Sequence, residues 1–340
     1  MSTVKEKIKA NVGESRLKQS SYLQAISQAL WEELERDEKV FLIGEDIGIY
    51  GGAFKVTDGF LDHFGKDRII DAPLEETGFI GAAIGAALTG LRPVVEIQYA
   101  DFISCGWDQI VNVAAKMHYR SSEPVPLVIR SPSGAGLRAG PFHSQSPEAW
   151  FSHVPGLKVI APGTPYDAKG LLKSAIRDDN PVIFFEHKYL YRRLKEELPE
   201  KDYTIPIGKA DIKRSGKDIT LITYGAMLQK SLEAADRLLD EGISIEIIDL
   251  RTIYPLDTQT IIESVGKTNK AMIVHEDTRT LGIGSEIAAN IADAGFEYLD
   301  GPIKRVTAPD VPIPFSPPLE DAFLPQVDDI VDEVIELFKY

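Results

Sequence analysis

Cysteine is almost absent from these 340 residues: Cys105 stands alone. An internal disulfide is thereby excluded, and such usage fits a reducing compartment. No run approaches the roughly 18 consecutive apolar residues of a membrane-spanning helix. A basic surplus is missing as well. The formal net charge is −15, which argues against nucleic acid, whose phosphates need a basic surface. The first 20 residues mix Lys5, Lys7, Lys9, Arg16 and Lys18 with Glu6 and Glu14 and contain no apolar core. They read as an N-terminal extension, not as a secretory signal. No GxSxG, no GxxxxGK[ST] and no HExxH occurs, and Gly48, Gly51 and Gly52 do not make a GxGxxG. Serine-hydrolase, P-loop and zinc-enzyme readings fall away. The expectation is a cytoplasmic protein with no nucleic-acid or membrane partner.

What is present is an ordinary globular composition, 44% hydrophobic and 26% charged. The length suggests two domains. Tyr22, Leu23, Ile26, Ala29, Leu30 and Leu34 recur at helical spacing and predict an amphipathic helix over 21–36. Apolar strands are predicted at 40–43, 68–70, 93–97, 127–130, 157–160 and 182–185. They alternate with helices, one carrying Ile103 to Met117 and another at 166–177. Continuous apolar runs alternating with helices predict a parallel sheet covered on both faces. A charged stretch holding Pro199 and Pro206 interrupts the pattern. A second unit follows, with strands at 219–224, 244–250, 271–275 and 303–306, and helices at 227–241, 258–265, 284–294 and 327–338. Between 309 and 318 five prolines predict extended loop. The fold class is therefore α/β, with two parallel-sheet, three-layer domains. The division places the extension at 1–20, the first domain at 21–190, a linker at 191–206 and the second domain at 207–340. From 205 onward, 13 basic side chains face 24 acidic ones, so eleven of the fifteen surplus negative charges lie there. Such a surface can steer a basic partner or simply keep the chain soluble.

One stretch organises the first domain: DAPLEETGFIGAAIGAALTG, residues 71–90. Glu75 and Glu76 precede a helix of Gly, Ala, Ile and Leu, whose composition predicts burial on all sides. A carboxylate at its mouth can be tuned for proton work. On local grounds the simpler reading is helix capping. In open parallel sheets ligands bind beyond the carboxyl ends of the strands. Four polar clusters hold that place: Glu45-Asp46, Glu75-Glu76, Gln98 to Phe102, and His143-Ser144-Gln145 after the Gly-rich 133–140. His143 reads equally as a surface-loop histidine. His275-Glu276-Asp277, with no partner motif, reads as structural or as an interface.

GED at 44–46, DAPLEETGFIGAAIGAALTGLRPVVEIQYADF, FHSQSPEAWFSHVPGLKVIAP, DDNPVIFFEHKYLYR and DLRTIYPLD resemble the β subunit of E1 2-oxo acid dehydrogenases. The resemblance covers the chain after about residue 20 and looks closest to the branched-chain members, with pyruvate and acetoin types related. It implies a transketolase-like fold: a pyrimidine-binding domain, then a transketolase C-terminal domain. It further implies thiamine diphosphate, shared with an α subunit that binds the diphosphate and Mg²⁺ through a GDG motif. No GDG occurs here. The active unit implied is an α₂β₂ heterotetramer that oxidatively decarboxylates a 2-oxo acid and passes the acyl group to a lipoyl group on E2, which docks through its subunit-binding domain.

By matched position, Glu76 takes the family's contact to N1′ of the aminopyrimidine, and His143 the active-site histidine that moves protons to substrate or lipoyl group. Glu45, Leu74, Glu75, Gln98 and Phe102 match cofactor contacts; Tyr99, Ala100 and Asp101 match positions near the substrate. Some members hold K⁺ at positions matching Leu127, Ala175, Asp178 and Asn180, chiefly through backbone carbonyls. Two positions depart from relatives: Phe102 stands where several have tyrosine, and Arg138 where some have histidine. The competing readings are a non-catalytic α/β partner subunit and a single-chain transketolase-type enzyme, the latter opposed by the missing diphosphate motif. The identity of the 2-oxo acid is not written in this chain, because the pocket is shared.

Overall fold

A computed structural model describes residues 19–340. The expected N-terminal extension lies outside the described residues except for Gln19 and Ser20, which begin β1 (Gln19–Ser21). Ser21 caps helix α1 (Tyr22–Arg36). Its hydroxyl accepts the Gln24 amide at 3.2 Å while the Gln24 side chain accepts the Ser21 amide at 2.8 Å. This reciprocal pairing fixes the helix start, and Tyr22, Ile26, Ala29, Leu30 and Leu34 turn inward.

In the first sheet β2 (Val40–Gly44), β3 (Ile69–Asp71), β4 (Arg92–Glu96), β5 (Val128–Ser133), β6 (Lys158–Ile160) and β7 (Val182–His187) run parallel. Their order is β6-β7-β5-β4-β2-β3. After β2 the chain steps outward to β3, then returns across β2 to β4. The carboxyl ends of β2 and β4 therefore flank a topological switch point, where such sheets open a ligand crevice.

Helix α2 (Glu76–Leu88) makes that return, burying Phe79, Ile80, Ala83, Ile84 and Ala87. Its expected all-round burial does not occur in this chain, because the sheet accepts only one face. Gly78, Ala82 and Gly85 remain exposed on the other. The helix expected around Trp107 is also different. It begins as a 3₁₀ turn (Ala100–Gly106), widens to a π-helical stretch (Gln109–Ala114) and ends as an α-helical turn (Ala115–Ser121). The segment lies close against α2: a Cβ on Gly106 would lie 2.3 Å from Ile80 Cδ1.

The second sheet has the order β14-β13-β10-β11-β9. Its strands are β9 (Asp211–Arg214), β10 (Ile219–Thr223), β11 (Ile245–Asp249), β13 (Ala271–Thr278) and β14 (Lys304–Ala308), parallel except at the β9 edge. Prolines 317 and 318 do not extend the loop as expected. They open the short helix Pro317–Phe323, since proline suits the first helical turn, where the amide is unpaired anyway.

Three features join the two sheets. The stretch between them is packed, with β8 (Lys195–Glu197) antiparallel to β1. Residues β12 (Thr252–Tyr254) leave the second unit and extend the first sheet, antiparallel to β6. Helix α3 (Pro165–Arg177) carries the fully buried Asp167, which accepts from Arg251 Nη1 at 3.0 Å and Lys213 Nζ at 2.5 Å. The cores are continuous too: Leu30 and Leu42 belong to the same cluster as Leu221, Leu238 and Val334. The crevice is thus carried by a unit packed against the second sheet.

Candidate active site

Glu45 and Asp46 follow β2 and Gln98 follows β4, so both rims of the switch point are polar. Gly44 lets the strands approach, for a Cβ there would lie 2.6 Å from the Glu96 carbonyl oxygen. Glu45 is only 5% exposed and its Oε1 has no hydrogen-bond partner. Burial, then the negative charge of Glu76, then that of Asp46 push its carboxyl pKa up to about 7. Near neutral pH Glu45 can therefore exchange a proton. Glu76 starts α2, half-buried. Glu75 stands at the N-cap but makes no capping hydrogen bond, so the capping alternative is not realised there. Its carboxylate lies over Gly78, where a Cβ would meet Glu75 Oε2 at 1.8 Å. The Thr77 hydroxyl donates to the Cys105 carbonyl at 2.6 Å and ties this turn to the 3₁₀ segment.

His143 sits between two rings. Tyr99 and Phe102 lie 4.6 and 5.5 Å from it, centroid to centroid, at 88° and 85°, the edge-to-face geometry aromatic rings prefer. Gln98 reaches back toward Asp46 at 3.5 Å. The structure thus places Glu76 and Asp46 near Glu45, Gln98 against Asp46, and Tyr99 and Phe102 around His143, a polar and aromatic wall built from three of the four clusters and the loop histidine. Leu74 projects at the rim, 79% exposed, beside the exposed Glu75. Two other expected residues are not free. Ala100 is buried in the core, and Asp101 Oδ1 accepts the amides of Ser144 and Gln145 at 3.2 Å each. Their contribution is to place the loop, although Asp101 Oδ2 remains unpartnered.

Sequence reasoning missed the floor beneath this wall. Arg130 is fully buried, donating to Glu186 at 2.6 and 2.8 Å and to Glu96 at 2.6 Å, while the Tyr191 hydroxyl donates to Glu186 at 2.7 Å. The signal was available: one charge ends each of the apolar runs VVE, VIR and VIFFE. Lys188 was missed as well. Burial pushes its pKa down to about 8 against Asp101, Glu276 and Glu148, which hold it up. Its ammonium donates to the Gly134 carbonyl at 2.6 Å and lies 6.0 Å from the Tyr99 ring centre. Arg138 turns away from the crevice, donating to the Pro317 carbonyl at 3.0 Å, Glu320 at 2.8 Å and Asp321 at 2.7 Å. It is spent on the second unit.

The potassium positions have internal partners. Asp178 Oδ1 accepts from Asn180 at 2.9 and 3.1 Å, and Lys158 pairs with the other oxygen. Arg92 donates to the Asp178 and Ile176 carbonyls at 2.9 and 3.0 Å. The Leu127 and Ala175 carbonyls accept the amides of Val182 and Asp178. Side-chain cations and backbone amides serve one lone pair of these backbone carbonyls and leave the second. Among the described residues no group of three His, Cys, Asp or Glu side chains could hold a metal.

Residues 18–193 match the family described as "Transketolase, pyrimidine binding domain", and 208–330 match "Transketolase, C-terminal domain". The 2-oxoisovalerate dehydrogenase subunit beta of Bacillus subtilis (strain 168) is 50% identical over 323 residues, covering 94% of this chain and 99% of that one. From the same organism, the pyruvate dehydrogenase E1 component subunit beta is 46% identical, covering 95% and 99%. The acetoin:2,6-dichlorophenolindophenol oxidoreductase subunit beta is also 46% identical, covering 92% and 95%. A solved structure described as a split gene transketolase, inactive beta4 tetramer, superposes with a TM-score of 0.77 over 94% of this chain and 98% of that one, at 22% identity. This last likeness is one of fold. The chain belongs to the transketolase-like family of E1 β subunits of 2-oxo acid dehydrogenases.

Proposed function

We propose that this chain supplies one half of the active site of a branched-chain 2-oxo acid dehydrogenase E1, working in the cytoplasm with thiamine diphosphate held against an α subunit. In this reading residues 21–190 are the pyrimidine-binding domain, 191–206 the linker and 207–340 the C-terminal domain. The observation that carries it is Glu45, buried with an unpartnered carboxyl oxygen and near enough to Glu76 for that charge to help raise its pKa to about 7. An unpartnered buried carboxyl oxygen beside an aromatic wall fits a planar heterocycle that has both a ring nitrogen and an amino group. When bound, thiamine diphosphate supplies the electron sink for loss of CO₂.

The chain's own residues then have separate tasks. Glu76 holds a proton at the ring nitrogen N1′, and Glu45 buffers that proton from behind. Gln98 and Phe102 orient the heterocycle, with Leu74 and Glu75 closing its rim. Tyr99 forms the substrate side of the wall, backed by Ala100 and Asp101. His143, held edge-on by two rings, exchanges a proton with the substrate or with the arriving lipoyl group. The diphosphate and Mg²⁺ fall to the α subunit. A K⁺ would be held at Leu127, Ala175, Asp178 and Asn180 chiefly through backbone carbonyls, whose second lone pair can face a cation.

Support for a second chain comes from α2. A Cβ added to Gly85 meets no described residue within 4 Å, so none of these demands a glycine there. We take that open face, with Gly78 and Ala82, as the surface on which the α subunit lies in α₂β₂. Gly85→Leu should then leave the isolated chain as stable or slightly more so, since glycine costs a helix about 0.5–1 kcal/mol. Size-exclusion chromatography should show α₂β₂ assembly lost; normal assembly would remove the surface from that role.

E2 docking is assigned to the acidic second domain. Its terminal helix (Val327–Phe338) presents Asp328, Asp332 and Glu336 to a basic subunit-binding domain. Affinity for E2 should weaken steeply as salt rises, and titrations at low and high ionic strength read this directly. A flat response would place the docking elsewhere. For the substrate, steady-state turnover of α₂β₂ should give a higher kcat/KM with 2-oxoisovalerate than with pyruvate. The reverse order would make this a pyruvate-type subunit, and no turnover with either would favour the non-catalytic reading.

A further inference from the structure

Loop 134–146 bears His143 yet has no regular structure of its own. Gly134, Gly136, Arg138 and Gly140 all adopt positive φ, at 85°, 94°, 61° and 71°. Arg138 has no glycine's freedom there, and such a conformation is strained for a bulky residue. A loop of this shape needs external acceptors for its amides. They are carboxylates, and most come from the other domain. Asp101 holds the Ser144 and Gln145 amides from the loop's own side. From the second domain, Glu276 accepts the Ala135 amide at 3.2 Å and the Ser146 hydroxyl at 2.9 Å. Glu320 accepts the Gly136 amide at 3.1 Å and the Arg138 amide at 3.2 and 3.3 Å.

Both carboxylates are built in rather than incidental. Glu320 is 0% exposed, and Arg138 Nη1 balances its charge at 2.8 Å. Glu276 is braced by His187 Nε2 at 2.8 Å. Burial would raise its pKa, but His187 and the Ser146 hydroxyl hold it down to about 2. Neither residue belongs to the wall of the crevice. We infer that the second domain sets the position of the His143 imidazole, with Glu320 and Glu276 as positioning residues that clamp the loop's entry and exit. The inference rests on the role proposed above for His143.

The test uses the α₂β₂ assembly. Glu320→Ala leaves the Gly136 and Arg138 amides without acceptors, whereas Glu320→Gln keeps one carbonyl oxygen there. Hydrogen exchange of peptides spanning 134–146 should quicken about tenfold or more in the alanine variant and less in the glutamine variant. Lipoyl-dependent kcat should fall in the same order, by up to roughly 10²-fold, with KM for the 2-oxo acid within about twofold. In a His143→Ala background, Glu320→Ala should add less than about twofold, since both act on one group. If the alanine variant does not assemble, the glutamine variant carries each comparison. Unchanged exchange in the assembled variants would overturn the clamp. Faster exchange with full turnover, or effects that multiply in the double variant, would overturn its link to the imidazole. A fully active His143→Ala would instead overturn the role of His143, with loop exchange still reporting on the clamp.

Discussion

Glu76→Gln is expected to lower decarboxylation by the α₂β₂ assembly by roughly 10²–10⁴-fold, the range that a positioned proton carrier contributes. The amide keeps the shape of the side chain and its hydrogen-bonding reach but cannot take up a proton. Glu76 has no packing duty that the variant would forfeit, since it sits half-buried at the first turn of α2. Assembly and thermal stability should therefore match the parent. A second consequence follows from Glu45. The Glu76 charge is the second cause, after burial, of its raised pKa of about 7. Removing that charge should lower the Glu45 pKa and shift any residual pH–rate profile to the acid side. Decarboxylation followed with an artificial electron acceptor, at several pH values, measures both effects. Normal turnover would remove Glu76 from the proposed role.

Arg130→Met should produce the largest loss of stability, about 3–5 kcal/mol, because breaking a buried ion pair leaves uncompensated charge behind. Here two carboxylates, Glu96 and Glu186, would face each other without the guanidinium that now binds both. Methionine matches much of the volume, so the cost is electrostatic rather than a cavity. The sign of its pH dependence follows. Burial already raises the Glu96 pKa while Arg130 pulls it down; without Arg130 it must rise further. A carboxyl raised in the folded state destabilises progressively above its unfolded pKa of about 4.3. The deficit against the parent should thus be smallest near pH 5 and grow toward pH 8. Urea denaturation at both values checks this, and a pH-independent deficit would contradict the electrostatic account.

Much of the architecture was readable because its signals are long and local. The terminal helix falls at Val327–Phe338 as its periodicity predicts, and the buried parallel strands appear as apolar runs. Two of the polar clusters, at Asp46 and Gln98, face each other across the switch point between β2 and β4. What escaped depends on distant partners. Strands of three residues such as β1, β8 and β12 carry no period to read and exist only through their pairing. The change of helical pitch after Ala100 has no local periodicity to announce it. Arg138 could not be assigned from the loop alone, because the buried Glu320 that engages it lies 182 residues further on.

The strand β12 gives the fold a property that its two sheets alone would not have. Tyr254 and Thr252 belong by sequence to the second unit but complete the hydrogen-bond ladder of the first, beside β6. A chain ending near residue 206 would therefore expose β6 as an open edge, the kind of surface that recruits other strands. The second unit, released alone, would carry a dangling segment with nothing to pair. The two sheets therefore share a seam: domain exchange between related chains should carry the crossing strand and its receiving edge together.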